Sequence, residues 1–387
     1  MTHLLSLGHP RNGSWANRSR LSTRLDALAY FALGATIILT PFRYRFTLLA
    51  RPFDPIYRDY TDFLLFAGDI FLVLTLALWL AGLVLQPRRL TAGPLFLSLS
   101  IAGITVMSLV SVLFSVDAPL SLYHAARLCL LAGLYLYLLN HIKTLSVVIL
   151  PVAGQIFIQA TVGIGQTLQQ RSLGLTSVGE LALDPAWSGI SIVWAGGVRY
   201  LRAYGLSDHP NILGGCLAFG LVLLVGWYVF SEARWHVLLT GITGLGALGL
   251  FLTFSRSAWL AAAGGLLLIA ATLLKNGQTQ AVRHGLKLMI AVLMVVGPFV
   301  WQNAPYLGVR LNWQNSFAQV PDESRAVHER QALNSVANHI FAGHALTGVG
   351  VGTFPVALRR QDPSFPFNYQ PPHLALLEVA AETGLFG

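Results

Sequence analysis

His373 stands at the mouth of an apolar stretch, Leu374-Ala375-Leu376-Leu377, directly after a long polar segment that closes with Gln370-Pro371-Pro372. A titratable ring at the water edge of a membrane span is placed to take up a proton near neutral pH, as a catalytic base does. The plainer alternative is a headgroup or capping histidine. Further into the same stretch comes Glu382, a carboxylate in apolar company that reads as buried.

Three basic constellations could serve such a site. Arg199 and Arg202 precede the run Ala203-Tyr204-Gly205-Leu206-Ser207-Asp208-His209-Pro210-Asn211. Pro210 suits the first turn of a helix, with Asp208 or His209 near its N-terminus. Backbone N–H groups there, facing a guanidinium, favour phosphate; a helix cap with arginines at lipid headgroups is the alternative. Arg256 lies in Thr253-Phe254-Ser255-Arg256-Ser257, a connection too short to be an ordinary loop. An arginine at that depth either snorkels to the interface or pairs with an anion. Arg325, Glu329 and Arg330 share the stretch from Asp322 to Phe341, whose Val327, Leu333, Val336, Ala337 and Ile340 recur at helical spacing. That pattern predicts an amphipathic helix lying over the surface, on which charged residues can also be merely solvated. The glycines between Gly343 and Gly352 have no strand–helix context for a dinucleotide loop, and they predict a tight backbone path beneath a ligand.

The elements that must position these residues are membrane spans. Charged residues make up 11% of the chain and hydrophobic ones 55%, against about 25% charge in a soluble domain. The chain therefore reads as an all-α polytopic membrane protein. Apolar windows fall at 25–42, 63–85, 94–114, 119–140, 144–165, 210–230, 236–254, 257–274 and 286–302, with a tenth beginning near 373. This divides the chain into a tail (1–24), a bundle (25–302) with a long loop at 166–209, a large loop (303–372) and the start of a further span (373–387). Lys143, Lys275, Lys287, Arg88, Arg89, Arg234 and Arg283 all fall on the side of the basic N-terminus, so the positive-inside rule predicts a cytoplasmic tail. Both long loops, Arg256 and His373 then face outwards, in the cytoplasmic (inner) membrane. Arg43, Arg45, Arg51 and Arg58 run against the rule, offset in part by Asp54, Asp59 and Asp62.

The net charge of +9 is scattered between apolar runs, with no basic cluster interleaved with aromatics, so nucleic acid is not an expected partner. Cys129 and Cys216 sit inside apolar spans and read as small core residues. His209, His328, His339, His344 and His373 lack metal-ligand spacing, and neither a metal nor another cofactor is expected. Intramembrane His124 and Arg127 call for a partner within the bundle that the sequence does not name.

Taken in order, these constellations resemble the O-antigen ligase and O-antigen polymerase family of bacterial membrane proteins. Arg202, Gly205, Pro210 and Asn211 are similar to its arginine, glycine and Pro-Asn opening a span. Ser255-Arg256 is similar to its Ser-Arg pair between spans. Arg330 through Gly348-Val349-Gly350 to Phe354 resembles its arginine-bearing helix and Gly-Val-Gly turn. His373 through Glu382 and Gly384 resembles its histidine and Glu-x-Gly helix, and Leu113 to Pro119 also looks family-like. The resemblance covers about 113–387. Two departures stand out: Leu374 occupies the place where the family commonly has asparagine, and about twelve spans are usual, which implies a chain incomplete at its C-terminus.

The resemblance implies transfer of a glycan from a polyprenyl-diphosphate carrier to a hydroxyl of a glycan, lipid or protein acceptor, inverting and independent of metal. His373 would be the base, Arg202 and Arg256 would stabilise the departing diphosphate, and Arg330, Arg199, His209, Asn211 and Arg325 would bind substrate. Membrane lipids would surround the bundle. Two rivals remain open at this point: a transporter or flippase of anionic lipid-linked or small solutes, and a non-catalytic assembly partner.

Overall fold

The computed structural model describes residues 12–311 and 321–387, with the side chains of 12–20, 321–324 and 326 outside the description. The side chains of the tail arginines Arg11, Arg18 and Arg20, and the part of the large loop at 312–320, thus lie outside the described residues. Among those described, nine helices are long and apolar enough to cross a membrane. They are α1 (Asn12–Leu39), α2 (Ala67–Leu85), α3 (Leu95–Ser111), α4 (Ala118–His141), α5 (Ser146–Gln169), α6 (Pro210–Tyr228), α7 (Ala233–Leu252), α8 (Arg256–Lys275) and α9 (Thr279–Gln302). The chain is a helical, multi-pass membrane protein, as its hydropathy implies.

Two small hairpins interrupt the helical pattern. β1 (Arg45–Leu49) pairs antiparallel with β2 (Phe63–Phe66), and β3 (Ile192–Ala195) with β4 (Val198–Leu201). The second span therefore starts at Ala67, four residues later than its apolar window. Phe63-Leu64-Leu65-Phe66 is as good a strand as a helix by composition, and its pairing with β1 decides the matter. The segment expected to open a tenth span forms α13 (Ala375–Thr383), nine residues long and ended by Gly384 at φ 80°. The helix expected over 322–341 is α11 (Pro321–Gly343), flanked by α10 (Ala304–Leu311) and α12 (Phe354–Gln361).

Three larger apolar cores, and a small one of Leu183, Leu201 and Tyr204, organise these elements among the described residues. The largest joins α5 to α9, and Gly246 and Gly249 of α7 let that helix approach Ile156 and Ala160 of α5 closely. A second joins α1, α2 and α4 around Leu33, Trp79 and Tyr137. The third lies over one face of the bundle, where Leu333, Ala337 and Ile340 of α11 are fully buried against Val349, Phe354 and Ala381. Three of the arginines that offend the charge rule are spent on this face. Arg43 and Arg45 pair with Asp208 at 2.8 and 2.6 Å, and Arg51 pairs with Asp117 at 2.9 Å.

Two glutamines of α5 bond the segment that leads into α6. Gln159 and Gln166 are buried on α5 and hydrogen-bond the irregular segment 202–208 instead of each other. Gln166 Oε1 accepts from the N–H groups of Tyr204 and Gly205 at 3.2 and 2.9 Å, while its Nε2 donates to the Gly205 carbonyl and to Glu180. Gln159 Oε1 accepts from the Leu206 N–H at 2.8 Å. At Gly205, φ is +60° and a β-carbon would stand 2.4 Å from that same Gln159 oxygen, so only glycine fits. Replacing Gln166 with leucine strands buried backbone groups and is expected to destabilise the fold by on the order of 2 kcal/mol. Thermal unfolding of Gln166→Leu in detergent measures it; an unchanged melt would remove α5 from this positioning role.

Candidate active site

Arg202 follows directly on β4 and is 5% exposed. Its Nε donates to the Thr253 carbonyl and a terminal NH2 to Asn211 Oδ1, both at 2.7 Å. The first bond ties the 202–208 segment to the C-terminal end of α7, and the Ala203 N–H reinforces it by donating to the Leu252 carbonyl at 2.9 Å. Asn211 sits in the first turn of α6, where His209 is the N-cap and Pro210 begins the helix. The sequence motif thus becomes a clamp in which Arg202 and Asn211 hold each other across the start of a span.

His209 faces inward from that cap. Its Nδ1 accepts from the Asn211 N–H at 3.1 Å, which leaves the ring proton on Nε2, 2.8 Å from Ser191 Oγ. Burial lowers its pKa to about 4, and positive charge on Arg202, His373, Arg330 and Arg310 pushes in the same direction. Four cationic or protonatable groups from four segments therefore act on one neutral imidazole. Positive charge from the three guanidiniums near this imidazole would favour an anion there.

α9 and α10 bring Arg310 into this group. Tyr306 of α10 stacks on Tyr200 of β4 with ring centroids 4.4 Å apart, which docks α10 on the β3–β4 hairpin. Arg256, the first residue of α8, donates from NH1 to the Arg310 carbonyl at 3.4 Å. Sequence reasoning missed Arg310. The available signal was a single charged residue in the otherwise uncharged Ala304–Leu311 helix. Arg199, by contrast, is committed elsewhere. Its Nε donates to the Pro185 carbonyl at 2.5 Å and its NH2 to Trp187, which braces the 185–187 loop. Arg325 is exposed, just over one turn before Arg330 on α11.

His373 reaches the cluster from the other end of the large loop. Glu329 of α11 accepts from the Asn368 N–H at 3.2 Å and from Gln370 Nε2 at 3.1 Å, fastening the 368–373 segment along the helix. The His373 pKa is lowered by loss of hydration among these neighbours and by Arg330, while the Glu329 charge opposes the shift. The ring is solvent-facing and predominantly neutral at pH 7, the state a base requires.

The glycine turn proves to run beneath protein. A β-carbon on Gly348 would stand 2.2 Å from the Glu382 backbone, one on Gly350 would strike Ser115, and one on Gly352 would strike His124. The Glu382 carboxylate accepts from the N–H groups of Gly352 at 2.7 Å and Phe354 at 3.1 Å. The turn is thus the joint between α13 and the ends of α3 and α4. Arg127 also has its partner, Asp69 of α2 at 3.2 Å.

The ordered set Arg256, Arg330, Gly-Val-Gly turn, His373 and Glu382 lies in a stretch that has recognisable relatives. Residues 239–387 match the O-antigen ligase family. No curated protein and no solved structure matches the chain. The O-antigen ligase match begins within α7 and includes Arg310, whereas Arg202, His209 and Asn211 precede it and are joined to it by the contacts above. The electrostatics give a direct check. Arg330→Gln removes a positive neighbour and is expected to raise the His373 pKa towards 6.5, the ordinary value for histidine, while Glu329→Gln lowers it further. Imidazole NMR titration of the two variants reads both directions, and identical titrations would separate α11 from His373.

Proposed function

We propose that this protein is a membrane glycosyltransferase of surface-polysaccharide assembly, of ligase or polymerase type, that moves a glycan from a polyprenyl-diphosphate carrier to an acceptor hydroxyl. The observation that carries the reading is the O-antigen ligase match over residues 239–387, the stretch that holds Arg256, Arg330 and His373. The acceptor oxygen attacks the anomeric carbon while its proton passes to His373. The bond from that carbon to the diphosphate breaks, and the leaving charge falls on the guanidinium cluster, with Arg256 at its edge. Direct displacement inverts the anomeric centre. Arg202 is held rigidly by Thr253 and Asn211, so it stabilises charge without first having to reorganise. Arg325 extends the positive surface along α11, and Arg199 acts by bracing the loop beside it.

The charge distribution supports an extracytoplasmic site. Arg88, Arg89, Lys143, Lys275 and Arg234 lie at the ends of spans opposite the face that carries His373, and the positive-inside rule puts that end in the cytoplasm. A donor delivered on a lipid carrier then needs no nucleotide sugar at the site.

The test uses protein purified in detergent and supplied with a polyprenyl-diphosphate oligosaccharide and acceptors of the three classes, without added metal. Release of the carrier diphosphate coupled to a heavier acceptor is expected. His373→Ala should lower the rate by about 10²–10⁴-fold, the usual contribution of a general base, with Arg202→Ala comparably impaired. Full activity in both variants would sink the site, and solute flux without glycan transfer would establish the transporter instead.

A further inference from the structure

A cavity of about 470 Å3 reaches Pro371, two residues before His373, and its lining is opposite in sign to the arginines near His209. That volume lies within the range of small-ligand pockets. Its rim is built from Asp59 and Tyr60 of the β1–β2 connection, Pro371, and Glu378 of α13. Its inner wall carries Glu382, His124 and the Asp69–Arg127 pair, and below them Leu72, Leu128 and Leu131 continue towards the bilayer. Four carboxylates thus face one guanidinium among the lining residues, whereas the neighbouring site gathers arginines.

Most of these groups are already spoken for. Asp59 holds Arg45 at 2.6 Å, Asp69 holds Arg127, and the Glu382 oxygens hold backbone N–H groups. Glu378 and the Tyr60 hydroxyl differ. Among the described residues neither has a hydrogen-bond partner, although both are half-buried at the rim. The Tyr60 hydroxyl is pushed up in pKa by burial and then by the charges of Asp59 and Glu378, which places the three groups together. Unpaired half-buried acceptors and a phenol beside an aromatic face are what hydroxyl-rich ligands use. A phosphate would be repelled there.

We propose that this cavity is the subsite for the acceptor's terminal sugar, a neutral or amino-bearing residue without phosphate, held by Glu378 and Tyr60 so that one hydroxyl faces His373. The assignment rests on the glycosyl-transfer reading. Pro371 lines the cavity two residues before His373, so the chain itself links the sugar side to the base. The diphosphate takes the arginine side and the sugar the carboxylate side, and the reacting atoms meet at the histidine between them.

Saturation-transfer NMR on the protein in nanodiscs tests the assignment without requiring turnover. The probes are a glucosamine disaccharide, its N-acetylated form and its 6-phosphate. The first two should bind and the phosphate should not. Glu378→Gln combined with Tyr60→Phe should weaken binding by about tenfold, as the loss of a charge-assisted hydrogen bond predicts. Leu376→Ala, on the exposed side of α13, serves as the folding control and should bind sugar as the wild type does. Equal binding by wild type and the double variant, preferential binding of the phosphate, or no binding to wild type would each overturn the assignment. Sugar binding that follows this pattern in a protein unable to transfer glycan would overturn the transfer reading alone.

Discussion

Everything at this site depends on how an irregular backbone is kept satisfied where it meets an apolar bundle. Backbone N–H and carbonyl groups near the hydrocarbon cannot count on water, so each needs a partner from the protein. The segment 202–208 obtains those partners from Gln159 and Gln166 of α5 and from the end of α7. Bonded in this way, the segment carries Arg202 to Thr253 and Asn211 and delivers His209 as the N-cap of α6. Buried glutamines on a span are costly when idle; here they bond the backbone of the segment, which turns a cost into a fixed geometry.

A second constraint comes from charge. The face above the bundle carries both signs, but not mixed at random. Asp208, Asp59, Asp117 and Asp69 neutralise Arg43, Arg45, Arg51 and Arg127 on one side. Arg202 donates to the Thr253 carbonyl and Asn211 Oδ1, and Arg256 to the Arg310 carbonyl, which ties both guanidiniums to the helix ends around them. Arg199 bonds carbonyls too, yet its two acceptors lie in the neighbouring 185–187 loop, and that places it with the scaffold.

The spans, the surface helix and the helix-opening Pro210 were legible in the sequence because each has a periodic or conformational signature: long apolar runs, apolar residues at helical spacing, a ring that fixes φ. Residue order was less informative where tertiary partners decide. Phe63 to Phe66 became a strand because β1 lies alongside, and Arg127 found Asp69 across two spans 58 residues apart. The role of Arg310 emerges only once Tyr306 stacks on Tyr200 and carries α10 over the hairpin. The glycines predict a tight path beneath a ligand; the close approach is real, but the neighbours are protein, namely the end of α13, Ser115 and His124.

The same turn explains how His373, on a surface loop, can be held in register with the bundle. His373 lies between two anchored points: Glu329 fixes the chain just before it, and Glu382 fixes the helix just after it to Gly352 and Phe354. Val349 and Gly350 add backbone bonds to Ala381 and Glu382, while Val351 donates to Ser111 at the end of α3. A side chain on Gly348 or Gly352 would wedge these layers apart and shift α13 with respect to α3 and α4. Three positive-φ glycines, Gly348, Gly350 and Gly352, therefore fix how closely α13 lies to Ser115 and His124.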